Sequence, residues 1–99
     1  MPWLGWGRVR VLRLNGIDVP VTNGRVTFVQ EPVDGGPDRK AWQVDAEIAV
    51  PWALELGQYA VEAELDLDGA LTGPGLLVRT AGLSIRIRSD GPWTGVQDW

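Results

Sequence analysis

Thirteen carboxylates and nine cationic side chains are the groups in this 99-residue chain that could do chemistry, and their spacing decides what kind. Asp45 and Glu47 project from one alternating run, and Glu62, Glu64 and Asp66 from another. Glycoside hydrolysis needs two carboxyl groups about 5 to 9.5 Å apart across a cleft, one of them in an apolar pocket. A solvent-facing ladder supplies no such pocket. Asp66-Leu67-Asp68-Gly69 has only the opening fragment of a spaced calcium loop. The acids therefore read as a solvated patch, formed if the two runs pair antiparallel and partly neutralised by Arg86 and Arg88. The chain holds no cysteine and no histidine, and serine stands only at Ser84 and Ser89. Thiolate chemistry, histidine acid–base catalysis and a Ser-His-Asp triad are thereby excluded. Phosphate-binding and nucleophile-elbow glycine motifs are absent. The expectation is a protein that is not an enzyme, with no catalytic residue, no metal ligands and no cofactor.

Arg8, Arg10 and Arg13 form a local basic cluster beside Trp3 and Trp6. A nucleic-acid surface would extend such a cluster over a face and interleave it with aromatic rings. Here the net charge is −4 and the pI about 4.6, which argues against binding to a phosphate backbone. The favoured reading pairs these arginines with acids of the sheet or of a partner. Six tryptophans stand out next to one Phe and one Tyr. Trp42 and Trp52 fit a core or its rim. Trp3, Trp6, Trp93 and Trp99 lie in Gly- and Pro-rich ends, where three roles compete: capping the protein's own core, insertion into a neighbouring subunit, and a sugar-stacking platform. These four indoles, with Arg8 and Arg10, are the candidate partner-binding residues.

The elements that must position these groups are strands. Tyr59, Val61, Ala63, Leu65 and Leu67 alternate with polar or small residues, as do Trp42, Val44, Ala46, Ile48 and Val50, and as do Leu83, Ile85 and Ile87. A period of two marks a strand buried on one face. Gln58 to Arg88 is expected as a three-stranded meander, with a turn at Asp68-Gly69, a break at Gly73-Pro74-Gly75 and a short strand at Leu76 to Val78. Upstream, Arg8 to Leu14 is a strand whose apolar phase changes near Leu12, which calls for a bulge. Asn15-Gly16 and Asn23-Gly24 both signal hairpin turns. They bound a strand from Ile17 to Thr22, placed at an edge because Pro20 donates no hydrogen bond. Residues 31 to 39, with two Pro and two Gly, are expected as an exposed mobile loop, and Trp52 to Gly57 as one helical turn or a corner.

The expected fold is one all-β domain over residues 1–99, an antiparallel β-sandwich or small β-barrel of about seven strands. Residues 1–7 form an irregular N-terminal arm, 8–88 the β core and 89–99 a C-terminal arm. The start shows no signal-peptide pattern and no run suits a membrane span, so a protein made in the cytoplasm without membrane contact is expected.

Where Leu14-Asn-Gly-Ile-Asp-Val-Pro-Val-Thr22 meets Gly57-Gln-Tyr-Ala-Val-Glu-Ala-Glu-Leu-Asp-Leu-Asp-Gly69, the chain resembles small all-β virion proteins of tailed bacteriophages, of the head-decoration and tail or connector kinds. The resemblance implies a structural subunit of the virion, a homo-oligomer or a component of a capsid or tail lattice, with protein partners bound through Trp-bearing arms and sheet edges. The alternative is a small carbohydrate-binding β-sandwich module.

Overall fold

The computed structural model describes residues 3–31, 34–36, 39–49, 54–65 and 69–95. Seven strands are present: β1 Trp3–Leu14, β2 Ile17–Val19, β3 Val21–Glu31, β4 Arg39–Ile48, β5 Gly57–Leu65, β6 Gly69–Ala81 and β7 Ser84–Ser89. All pairings are antiparallel, in the order β2-β1-β3-β4-β7-β6-β5, and β5 also pairs with β1. That last pairing closes six strands into a barrel, with β2 as an extra strand against β1. Two meanders make it up, β1-β3-β4 and the expected β5-β6-β7, joined by β1–β5 on one side and β4–β7 on the other. Closure leaves few open sheet edges, which in an open sheet would template unwanted pairing.

Alternation explains the interior. Val26, Phe28, Trp42, Val44, Ile48, Val61, Leu65, Leu71, Leu77, Ile85 and Ile87 point inward and are buried, while their described neighbours in sequence, except Ala41, are half-buried or exposed. The phase change in β1 is resolved as expected. The β1–β5 register shifts between Val9 and Val11, so Val9, Leu12 and Leu14 are all buried.

Asn15-Gly16 makes the β1–β2 turn with φ of 54° and 80°, the double left-handed conformation of a type I′ hairpin. Asn15 also ties the turn to β5. Its N–H donates to the Ala60 carbonyl at 2.8 Å, and its Oδ1 accepts from the Ala60 N–H at 2.8 Å.

The structure departs from the sequence reading at five places. The strand expected from Ile17 to Thr22 is split at Pro20, with Ile17–Val19 forming β2 and Val21 opening β3. Asn23-Gly24 is no turn; it lies inside β3, where the pairing with β4 shifts register between Val21 and Asn23. Gly24 is there for space, since a Cβ on it would stand 3.0 Å from Val9 Cβ and 3.2 Å from Val21 Cγ1. Gly73-Pro74-Gly75 does not break the sheet but runs through the middle of β6. A Cβ on Gly75 would meet Val61, Ile87 and Trp42 at 2.6 to 3.0 Å, so β6 passes directly over the core. Residues from Trp3 onward, expected as an arm, are the first half of β1, paired with β3 through Trp3↔Val29 and Trp6↔Thr27. Gly5 and Gly7 do not prevent pairing because β3 supplies a long complementary strand. Finally, the end of the chain is tied down as far as Gly95. Thr72 and Thr94 exchange two backbone hydrogen bonds of 3.0 and 2.8 Å, and the Asp90 N–H donates to the Pro74 carbonyl at 2.9 Å.

Candidate interaction surface

Strand register carries outward side chains into rows across the barrel wall. One row follows from the pairings Arg8↔Arg25, Arg25↔Asp45, Asp45↔Arg86 and Arg86↔Arg79. It runs over β1, β3, β4, β7 and β6, and all five side chains are exposed or half-buried. These residues, with Glu47 beside Asp45, line an open groove of about 870 Å³. Four guanidinium groups thus face two carboxylates, on a chain whose net charge is −4. Arg88 extends the positive potential one row away, opposite Gln43.

The centre of the row is fixed. Arg86 Nε donates to Asp45 Oδ1 at 2.7 Å, and Gln43 Nε2 donates to Asp45 Oδ2 at 2.8 Å. A carboxylate held on both oxygens anchors the Arg86 head on a paired strand. Arg8 and Arg79, both exposed, make no ion pair among the described residues.

The remaining basic residues of the first strand belong to a different surface. Arg13 is the hub of a network: Nε lies 2.8 Å from Asp18, Nη1 3.6 Å from Glu62 and Nη2 3.2 Å from Glu64. Arg10 Nη2 stands 3.9 Å from Glu64. Partial desolvation works against the Arg13 charge, but the attraction and hydrogen bond of Asp18, then the charges of Glu64 and Glu62, outweigh it and hold the guanidinium above its ordinary pKa. The expected pairing of arginines with sheet acids holds for Arg10 and Arg13. Arg8 points with them away from the core, yet register places it in the other row.

Of the acidic patch expected from Asp45, Glu47, Glu62, Glu64 and Asp66, the last lies outside the described residues, and the other four do not come together. β4 and β5 are not neighbours, because β4 pairs with β3 and β7 whereas β5 pairs with β1 and β6. The two sets of acids meet different arginines instead. Among the described residues no group of three or more His, Cys, Asp or Glu is placed to hold a metal ion, and no helix is long and apolar enough to cross a membrane.

The tryptophans divide. Trp42 is buried in the barrel, and its Nε1–H is a buried donor with no partner among the described residues. Trp93 is half-buried and packs on the core, its ring 6.4 Å from that of Phe28 at a tilt of 41°. Gly73 makes room for it, since a Cβ there would lie 2.8 Å from Trp93 Cβ. Trp93 thus caps the protein's own core. The backbones of Trp3 and Trp6 lie in β1, and Trp99 falls outside the described residues, as do Trp52 and residues 32, 33, 37 and 38 of the expected 31–39 loop, whose ends belong to β3 and β4.

Arg25, Arg79 and Arg86 were not singled out as site residues by sequence reasoning. They are far apart in sequence, and only the order of strands brings them into line with Arg8. A comparison with protein-family models, curated proteins and solved structures finds no match to this chain.

Proposed function

We propose that this chain is a non-enzymatic structural and interaction subunit whose barrel is a rigid platform for protein partners. The observation that carries the reading is the arginine row, fixed in register over five paired strands and opening into one groove. Arginine is enriched in protein interfaces, and complementary rows of charge select partners and set register more than they add raw affinity. Guanidinium groups mounted on a closed barrel lose little further freedom on binding, which lowers the entropic cost of association. The resemblance to small virion proteins of tailed phages supplies the setting: a homo-oligomer or a capsid or tail lattice, assembled in the host cytoplasm. With Trp93 packed against the core, the sheet face replaces Trp93 as the main contact in this proposal.

Site-specific photo-crosslinking in cells that naturally make the protein tests it. A photoreactive residue at Thr27, beside the groove, is expected to give discrete protein adducts, and one at Ala60, on the outer face of β5, few or none. Equal labelling from both positions, or free chain alone from both, would overturn the proposal.

A further inference from the structure

The pattern of charge in the groove specifies its occupant. Resting on the reading above, we infer that the groove takes an extended protein segment bearing carboxylates at positions i and i+4 and a cation at i+2. In the register, Arg8 and Arg25 stand to one side of Asp45 and Arg86 and Arg79 to the other, and all five line one groove. Alternate residues of an extended chain share a face, so positions i, i+2 and i+4 present an acid, a base and an acid together to the groove. Midway between the pairs stands Asp45, with Glu47 next to it. A cation on the same face of the segment, at i+2, falls opposite these two acids.

The same mosaic disfavours a nucleic acid. A phosphate backbone presents anionic groups without interruption and would meet Asp45 and Glu47 at the centre of the groove. Single-stranded nucleic acid also gains much of its affinity by stacking bases on aromatic rings, and among the described residues the groove lining carries none. A polypeptide can alternate acid, base and acid along one face. Each arginine head matches a carboxylate in bidentate geometry. Arg8 and Arg79 have heads unengaged by any ion pair among the described residues, so a partner's carboxylate displaces no internal pairing there.

The test is fluorescence anisotropy of the full chain with a labelled, end-blocked ten-residue peptide of Thr and Val carrying Glu at i and i+4 and Lys at i+2. Three probes run beside it: a charge-inverted peptide, a peptide with the second Glu moved to i+3, and a short oligothymidylate. The first peptide is expected to bind, more weakly as salt rises, and to prefer the wild-type chain over Arg8→Glu/Arg79→Glu by about tenfold or more. Ala60→Glu should bind as wild type. Both variants change exposed side chains, and circular dichroism confirms that each is folded. Tight binding of the oligonucleotide or the charge-inverted peptide, binding of the i+3 peptide as tight as that of the first, or no binding of the first peptide at millimolar concentration, overturns the inference. If crosslinks nevertheless map to Thr27, the partner chemistry is wrong while the interaction role stands.

Discussion

Gly75→Ala is the substitution that most sharply probes how this barrel is closed. Gly75 is buried in β6, and its backbone is not in the left-handed region, so alanine meets no conformational penalty. The penalty is space. The new Cβ would stand 2.6 Å from Val61 Cγ2, 2.8 Å from Ile87 Cγ2 and 3.0 Å from Trp42 Cη2. These three side chains sit on β5, β7 and β4, and none is more than 1% exposed. Relieving the overlap moves all three, or bends β6 away from the interior. Overpacking of this kind costs about 1 to 3 kcal/mol, against a gain of about 0.4 to 1 kcal/mol when alanine restricts the unfolded chain. A net loss of about 1 to 2 kcal/mol lowers the Tm of a domain this size by about 5 to 15 °C. Urea unfolding followed by tryptophan fluorescence reads the change, with Gly36→Ala as the control. Gly36 has nothing within 4 Å of its would-be Cβ, and this substitution should fall within about 0.5 kcal/mol of wild type. In a double-mutant cycle, Val61→Ala should recover part of the Gly75→Ala loss, because it removes the nearest clash. A Gly75→Ala chain as stable as wild type would refute the claim that β6 is held this close to the core.

Other positions give equally definite outcomes. Asn15→Ala loses both the left-handed preference and the acceptor for the Ala60 N–H, and denaturant unfolding should show a cost of about 2 to 3 kcal/mol. Asn15→Gly keeps the conformation and should cost about 1 kcal/mol. Trp42→Phe removes an unpaired buried donor along with part of the ring, so its cost should be well below the ~3 to 5 kcal/mol of Trp42→Ala. Truncation after Asp90 removes Trp93 from the core and both Thr72–Thr94 hydrogen bonds. It should lower stability by on the order of 2 kcal/mol, measured by the urea midpoint, in contrast to a free arm, whose removal would leave it unchanged. Arg13→Ala acts on an exposed network and should move the urea midpoint little, and less still at high salt.

Strand existence was legible where side-chain alternation was long, as in β4, β5 and β7, and the Asn15-Gly16 turn was legible because both residues tolerate positive φ. Glycine was misread where its use is tertiary. Asn23-Gly24 carries the same local signal as Asn15-Gly16, but Gly24 is required by the closeness of Val9 on another strand. Gly73 and Gly75 look like punctuation, yet they admit Trp93 and Trp42. Propensity rules describe a residue's own backbone and cannot report what packs over it. The groove was hidden for a related reason. Arg8 was visible as part of a cluster with Arg10 and Arg13, but which strand becomes its neighbour depends on the closing order of the barrel. That order also separates Asp45 from Glu62 and dissolves the acidic patch that adjacency in sequence suggests.

In the proposed role, the arginine row is the surface through which this chain joins a larger assembly. Sedimentation of lysate from cells that naturally make the protein, probed for wild type, Arg8→Glu/Arg79→Glu and Ala60→Glu, tests it most directly. Wild type and Ala60→Glu should travel with a large assembly, while the groove variant, folded, should remain near its own mass of 10.8 kDa. A groove variant that sediments with wild type, or a wild-type chain that stays free, would contradict the account.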